Sequence, residues 1–421
     1  MKLHWQILIA LLLAALVGHF VGDAPGLMKF CEFVGTLFLN ALKMIIVPLI
    51  IASIINGVAS LSGQALGRIG LSTLLFYLGT GFIAICSGLV LVNLIAPGII
   101  DGVPAGKLMG LGADTQQVVA SMQSRGGIDE LLNVVYLMFP ANIFKAAAGG
   151  QMLGIVCFAL LYGYYVSYVS RSEDRLGTVQ RDFWQGVYAV MTAMTGLVMR
   201  FAPIGVFGLV TKVVATTGFD AARPLALFFL TVVLGLLTHA LITLPLVLRF
   251  VARVSPLRHF QAMAPALLTA FSTSSSGATL PVTVDCMENR AKVPSRITGF
   301  VLPVGANVNT DGSALYECVA AMFIAQAYGV ELGIAQQFAI VMIALLSSIG
   351  VAGIPSASLV AIVLILNAVG VPLEGLGLIL AVDRLLDMCR TTVNVLGDSV
   401  CTVTVAKLNG ESGVLAEPIR S

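Results

Sequence analysis

Charge is what this chain has least of. Only 10% of its 421 residues are Asp, Glu, Lys or Arg, 23 basic against 21 acidic, for a formal net charge of +2; soluble proteins carry about 25%. So small and scattered a surplus, with no basic run interleaved with aromatics, speaks against a nucleic-acid partner. The seven cysteines (Cys31, Cys86, Cys157, Cys286, Cys318, Cys389, Cys401) stand singly without CxxC spacing, and the four histidines make no HExxH or other cluster. Neither a disulfide framework nor a zinc site is indicated.

What the chain has instead is apolar length. Hydrophobic residues make up 58% of it and the mean hydropathy is +0.98, which points to a polytopic membrane protein. The N-terminal run "MKLHWQILIALLLAALVGHFVGDAPG" has the outline of a signal peptide, but no A-x-A site follows it and further spans come directly after, so a first transmembrane helix is expected. At about 20 apolar residues per span, helices are expected near 5–22, 34–57, 69–96, 133–168, 183–215 and 225–250.

Beyond residue 250 the pattern changes. Regions 256–294 and 334–371 each hold two short apolar arms joined by Ser, Gly and Pro, in "LTAFSTSSSGATLPVT" and "LLSSIGVAGIPSAS". Each is followed by a long apolar helix with polar residues at its middle, "VLPVGANVNTDGSALYE" and then "AVDRLLDMCRTTVNVLGD". Hairpin then helix, twice, is the pattern of repeats built from interrupted helices with a binding site where the breaks meet. Arg249, Arg253, Arg258, Arg290, Lys292 and Arg296 surround the ends of the first hairpin, whereas no lysine or arginine occurs between Ile297 and Asp383. By the positive-inside rule the first hairpin enters from the cytoplasm and the second from outside, an inverted repeat. "SRSEDRLG" and Arg68 fit cytoplasmic loops in the same count.

The last polar helix carries the chemistry. Asp383, Asp387, Arg390, Asn394 and Asp398, spaced 4, 3, 4 and 4, fall within roughly 80° of one helix face at about 100° per residue. A charge at mid-bilayer costs about 2.5–3.5 kcal/mol on insertion scales, and such residues mark ion or substrate pathways. Asp387 and Arg390, one turn apart, can also simply pair with each other. A guanidinium suits a carboxylate and a neighbouring aspartate suits an ammonium, so the ligand carrying both groups is an amino acid with an acidic side chain. In the other polar helix Asn307, Asn309 and Asp311 alternate, which no regular helix face accommodates. Local unwinding there would free backbone carbonyls to hold a small cation beside Asp311; the alternative is a polar knot that satisfies its own helix break. The hydroxyls and free N–H groups of Ser274, Ser275 and Ser276 suit a ligand carboxylate at a half-helix start, although serine and glycine make turns and caps in any case.

"TSSSGATLPVT", "VLPVGANVNTDGSALYE", "SSIGVAGIPSAS" and "DRLLDMCRTTVNVLGD" together resemble the dicarboxylate/amino acid:cation symporters, which comprise prokaryotic glutamate/aspartate transporters and animal excitatory amino acid transporters. Upstream, "LKMIIVPLIIASII", "MLGIVCFALLYG" and "MRFAPIGVFGLV" extend the likeness over nearly the whole chain. The resemblance implies an all-α protein of eight transmembrane helices plus two re-entrant helical hairpins, forming a homotrimer of independent elevator-type transporters. It implies scaffold helices in 1–68 and 98–215, a transport part in 69–97 and 216–408, and a cytoplasmic tail over 409–421, in a multi-pass protein of the cell (inner) membrane with both termini cytoplasmic. It also implies that Arg390 holds the substrate's side-chain carboxylate and Asp387 its amino group. Thr391, Asn394, Ser274, Ser276, Ser313, Gly353 and Ile354 would complete and close the site. Sodium is the implied coupling ion and no other cofactor is expected: Gly305, Asn309, Asn394 and Asp398 match one site, Tyr77, Thr80, Asn309 and Asp311 a second, and Ser348 and Ile349 part of a third.

The chain departs from the family pattern where ions and charge are handled. Thr310 stands for the usual methionine of "NMDGT", Asn307 where threonine is common, and Gly81 where a hydroxyl helps to hold sodium. Ser274 and Met388 occupy the positions where prokaryotic and animal members, respectively, place an arginine. Glu317 is a candidate proton carrier, because burial in an apolar helix favours the uncharged acid; the animal members it resembles have glutamate after the same Leu-Tyr pair, and several prokaryotic ones have glutamine. A purely structural glutamate, satisfied by a hydroxyl or by Arg390, is the other reading.

Uptake of L-glutamate or L-aspartate by symport is thus the expected function, and catalysis is not. An intramembrane serine hydrolase is disfavoured because a nucleophilic serine needs a base within hydrogen-bond reach, and no histidine is expected in either hairpin or in the last two helices. An anion-conducting channel and a C4-dicarboxylate symporter compete with it, the latter opposed by Asp387, for which such a substrate has no ammonium.

Overall fold

The computed structural model of the chain describes residues 3–21, 24–60, 68–107, 136, 138–148, 152–172, 174–217, 222–348 and 357–415. The first three helices are α1 (Leu3–Val21), α2 (Pro25–Ser60) and α3 (Arg68–Ile95); the first and third lie close to the expected spans, whereas α2 begins nine residues before the expected 34–57. The expected helix over 133–168 is, among the described residues, a short α4 (Ile143–Ala148) and α5 (Met152–Ser172). The one expected over 183–215 is divided into α6 (Asp174–Arg200) and α7 (Ala202–Thr217), bent by 53°. Pro203 is the physical reason, since its ring fills the place of a helical N–H donor and disfavours helical geometry at the residue before it.

Helix α8 (Ala222–Phe250) contains a five-residue π turn, His239–Thr243. In that turn the Leu244 N–H donates to the His239 carbonyl, five residues back. Pro245 follows directly, and a regular turn would drive its ring against the carbonyl of Leu241, a clash that widening relieves.

The first hairpin is α9 (Pro256–Thr273) and α10 (Ser276–Asp285), the latter running into a π turn at Cys286–Arg290. Ser274 ends α9 in the left-handed conformation, φ 51°, and the Ser275 hydroxyl caps α10 by accepting from the Ala278 N–H at 3.2 Å. The next long helix is interrupted as the alternating polar residues foretold: α11 (Ser295–Val308) stops, Asn309 and Thr310 leave helical geometry, and α12 (Asp311–Ala327) restarts. Then come α13 (Ile334–Ser348), α14 (Ala357–Val369) and the 33-residue α15 (Leu376–Leu408). The tip between α13 and α14, with Ile349, Gly353 and Ile354, lies outside the described residues. Gly329 and Gly370 close α12 and α14 at φ 71° and 72°, each in a motif where the following N–H reaches back to the fifth carbonyl before it, Val330 to Ala325 and Val371 to Leu366.

Helix α12 is the centre of the second half. Nearly every residue from Asp311 to Ala327 is buried, as a helix enclosed on all sides requires, and it packs on α3, α8, α13, α14 and α15. Phe228 of α8 stacks on its Phe323 at 4.6 Å. In the first half α1 packs on α7, and α2 on α5, α6 and α7, with α7 also touching α15. The backbones of α2 and α7 approach closely at glycines: a Cβ on Gly208 would stand 2.5 Å from the Cys31 carbonyl oxygen, and one on Gly35 2.8 Å from Leu209. Small residues serve this purpose between membrane helices.

One feature was not expected. Ile99–Ile100 pairs with Val103–Pro104 in a two-residue hairpin over Asp101 and Gly102, both at positive φ, the geometry that Asp-Gly favours. It rests on α12, where the Gly98 N–H donates to Gln326 Oε1 at 3.1 Å.

The outer surface carries large apolar side chains that water would not tolerate in such density, among them Phe20, Phe33, Met44, Leu71, Val90, Leu94, Leu241 and Phe250. Among the described residues, Ile69–Ile95 and Ala222–Phe250 are by themselves long and apolar enough to cross a membrane, and the bent pair α6–α7 qualifies as a third span.

Gly208→Val is expected to lower the melting temperature of the detergent-purified protein, overpacking of this kind costing about 1–3 kcal/mol. An unchanged melting temperature would mean that α2 and α7 do not depend on that contact.

Candidate functional site

The stripe on α15 is buried as a unit. Asp383, Asp387, Arg390, Asn394 and Asp398 are each at most 4% exposed, while Leu385, on the opposite face, is 51% exposed. Arg390 is clamped: its Nη1 donates to Asp383 Oδ1 at 3.0 Å, and its Nε and Nη2 donate to Asp387 Oδ1 at 3.1 and 2.9 Å. Beneath it lies the Tyr316 ring, 4.3 Å from the guanidinium carbon, and the Tyr316 hydroxyl donates to the same Asp383 oxygen at 2.9 Å. The pairing of Asp387 with Arg390 that the spacing allowed is therefore present. A second guanidinium joins it, Arg384 Nη1 donating to Asp387 Oδ2 at 3.1 Å. Three of the five N–H groups of Arg390 go to its two carboxylates.

The break between α11 and α12 meets this stripe one turn further on. Asn394 Oδ1 accepts from the N–H groups of Gly312 and Ser313, at 2.8 and 3.4 Å, and its Nδ2 donates to the Ser313 hydroxyl at 3.2 Å. Asn394 thereby satisfies donors at the start of a 17-residue helix, whose N-terminal end favours negative charge. Glycine is required at 312, because a Cβ there would lie 2.7 Å from the Arg390 carbonyl oxygen.

Oxygen atoms gather below. Asn309 Nδ2 donates to Asp398 Oδ1 at 2.8 Å, and Asn309 Oδ1 is buried without a partner. Tyr77, Asn309, Thr310 and Asp311 line a cavity of about 10 Å³ with Leu74, Leu78, Val308 and Leu345, the space of one water-sized sphere. Gly305 faces Asp398 and Tyr77, whose oxygens would each stand 2.5 Å from an added Cβ. The Tyr77 hydroxyl donates to the Val301 carbonyl and the Thr80 hydroxyl to that of Phe76. Carboxylate, amide and hydroxyl oxygens of this kind suit a hard cation. Among the described residues no three of His, Cys, Asp and Glu converge as for a transition metal.

Asp311 has a partner that sequence reasoning missed. His239 of α8, fully buried, puts Nε2 3.1 Å from Asp311 Oδ2, and its Nδ1 has no partner. With Asp311 accepting, Nε2 carries the proton. A lone ionisable residue inside a very apolar span was the available signal; the π turn that begins at His239 gave none. Tyr316, Asp383 in its clamping role, and Arg384 were also left without a part by the sequence.

The remaining candidates fall as follows. Ser274 is buried with its hydroxyl unpartnered, Ser276 is buried, and Ser275 is the helix cap already described. Thr391 is buried beside Arg390 on α15. Glu317 is buried on α12 and accepts from the Ser347 hydroxyl of α13 at 3.3 Å. Ser348 ends α13 and Asn307 lies in the last turn of α11, but their side chains are outside the described set. The expectation of no histidine in the hairpins is corrected for the first one, where His259 of α9 lies fifteen residues before Ser274. At 1.5 Å per residue it sits about 22 Å along the helix from the serines, too far to act as their base.

Comparison with known proteins identifies the family. The model of the sodium:dicarboxylate symporter family matches residues 3–408. Excitatory amino acid transporter 3 of Oryctolagus cuniculus is 34% identical, over 97% of this chain and 86% of that one. The proton/sodium-glutamate symport protein of Geobacillus stearothermophilus is 34% identical over 97% and 95%, and the proton/glutamate-aspartate symporter of Escherichia coli is 36% identical over 96% and 92%.

His239→Ala leaves a buried Asp311 oxygen without its donor and is expected to cost about 1–3 kcal/mol of stability, read as a lower melting temperature in detergent. His239→Gln, which keeps an N–H donor, should recover part of it. Equal melting temperatures for the alanine variant and the parent would show that the contact contributes nothing.

Proposed function

Because the chain belongs to the sodium:dicarboxylate symporter family, we propose that it takes up acidic amino acids by cation-coupled symport, with the substrate held by the α15 stripe. The chain is a membrane transporter and not an enzyme. The observation that carries the reading is Arg390: a guanidinium 1% exposed, held between two carboxylates over an aromatic face, next to the N-terminal end of α12. Such a fixed fork recognises a carboxylate through two parallel hydrogen bonds.

In this reading the substrate's side-chain carboxylate displaces Asp387 from Arg390, and Asp387 turns to the substrate's ammonium. Thr391, Asn394 and Ser313 add contacts, the N-terminus of α12 and the Ser274–Ser276 tip receive the α-carboxylate, and Gly353 and Ile354 close over it. The buried, unpartnered Ser274 hydroxyl supports a contact there. Sodium and protons supply the drive, in line with relatives named for proton and sodium coupling. The unpartnered Asn309 Oδ1 and the oxygens of Asp311, Asp398, Tyr77 and Thr80 fit sodium, with carbonyls around Gly305 and Asn307, and Ser348 with Ile349 would serve a further ion. Glu317, which the Ser347 hydroxyl of the second hairpin reaches at 3.3 Å, carries the proton.

The transport part, by the same proposal, is α3, α8 and the helices from α9 to α15, moving as an elevator against a scaffold of α1, α2 and α5 to α7. The packing of α1, α2, α5, α6 and α7 mainly on one another supports this division. Residues 98–107, which rest on α12, go with the moving part, a shift of the boundary expected from the sequence. Eight membrane spans, re-entrant hairpins, a homotrimer, residence in the cell membrane and cytoplasmic termini belong to the proposal as well.

Arg390→Cys tests it. Uptake of labelled aspartate and glutamate into liposomes is expected to fall by about a hundredfold or more, as loss of a buried charge partner costs about 3 kcal/mol or more; small neutral amino acids are admitted instead. Unchanged aspartate affinity in that variant would sink the assignment.

Glu317→Gln is expected to preserve aspartate exchange while net uptake loses its dependence on pH. A variant whose net uptake still responds fully to pH would remove Glu317 from the coupling.

A further inference from the structure

We infer that Arg384 is a tethered cation that takes the place of the substrate's ammonium on Asp387 whenever no ammonium is there. The inference rests on the functional reading above and concerns a residue to which that reading gives no role.

The two guanidiniums on Asp387 are held very differently. Arg390 makes three hydrogen bonds to two carboxylates, lies over Tyr316, and its side chain is 1% exposed. Arg384 makes one, Nη1 to Asp387 Oδ2 at 3.1 Å; its Nε is buried without a partner, and its side chain is 15% exposed. One contact and a path to the surface make Arg384 the exchangeable partner. The oxygen it holds, Oδ2, is the one that Arg390 does not use. That oxygen is the natural seat for an ammonium, and Arg384 already supplies a charge of the same sign there.

Charge counting shows what the swap accomplishes. Asp383 and Asp387 against Arg384 and Arg390 make two acids and two bases, so the cluster is neutral. Without Arg384 it carries one uncompensated negative charge inside a membrane helix, which the surroundings oppose. When a substrate ammonium arrives on Asp387, the Arg384 head swings out along its exposed side, and the acid stays paired. When the substrate leaves, Arg384 returns and the carrier reorients with the cluster neutral. A dicarboxylate without an amino group leaves Arg384 in place and still finds Asp387 paired. Asp387 therefore excludes C4-dicarboxylates less strictly than its charge alone suggests.

The experiment compares Arg384→Gln and Arg384→Lys with the unmodified protein in liposomes, measuring aspartate exchange, net aspartate uptake, and competition by succinate. Exchange by the unmodified protein tests the functional reading by itself, since a protein that exchanges no aspartate refutes that reading whatever Arg384 does. With exchange established, Arg384→Gln is expected to lower the ratio of net uptake to exchange by about tenfold, within the range of ordinary coupling effects. It should weaken succinate competition relative to aspartate by a similar factor, and Arg384→Lys, which keeps the charge, should restore both. Net uptake and exchange falling together, a ratio that does not change, or a lysine variant no better than glutamine would each overturn the inference.

Discussion

Everything at the centre of this protein answers to one constraint: four charged side chains on one helix, three of them nearly fully buried, must stay mutually paired. Asp383, Arg384, Asp387 and Arg390 meet it by interlocking within two turns of α15. An isolated charge there would be expelled or neutralised. A closed cluster is stable, and it is also selective, because a ligand that opens it must replace each contact it breaks. In the proposed function an acidic amino acid does so, bringing a carboxylate for Arg390 and an ammonium for Asp387. Tyr316 belongs to the same constraint, since its ring lies against Arg390 and its hydroxyl donates to Asp383.

The backbone obeys a parallel rule. Broken helices at membrane depth leave N–H and C=O groups that lipid cannot satisfy, so each break needs an internal partner. Asn394 supplies it for α12, the Ser275 hydroxyl for α10, and the end of α11 hands on to Asn309, whose side chain bridges to Asp398. The polar side chains of α15 and the breaks opposite them therefore form one network, in which a residue removed from the stripe exposes a helix end elsewhere. Asp311, held by His239 across from α8, extends that network to a third element.

How much of this could be read from the sequence depended on the range of the cause. The stripe follows from helical spacing alone, and its burial from the apolar residues around it. The break in "GANVNTDGS" was legible because Asn307, Asn309 and Asp311 cannot share a face, and the serine tip because serine and glycine carry their own turn chemistry. The bend at Pro203 and the Asp101–Gly102 hairpin had clear local signals that the long apolar runs obscured. His239 was different in kind. Its meeting with Asp311, 72 residues away, depends on a π turn and on how α8 packs against α12, neither of which any local pattern encodes. The same holds for Arg384, which the spacing placed just off the stripe and which the fold returns to Asp387.

The account stands on the claim that the Arg390–Asp387 pair is the substrate's seat rather than a scaffold that merely neutralises itself. A structure of the protein with L-aspartate bound tests that claim most directly. The account predicts the side-chain carboxylate on Arg390, the ammonium within hydrogen-bond reach of Asp387, and the Arg390–Asp387 hydrogen bonds opened. Aspartate bound elsewhere, with all three Arg390 contacts to Asp383 and Asp387 intact, would contradict it.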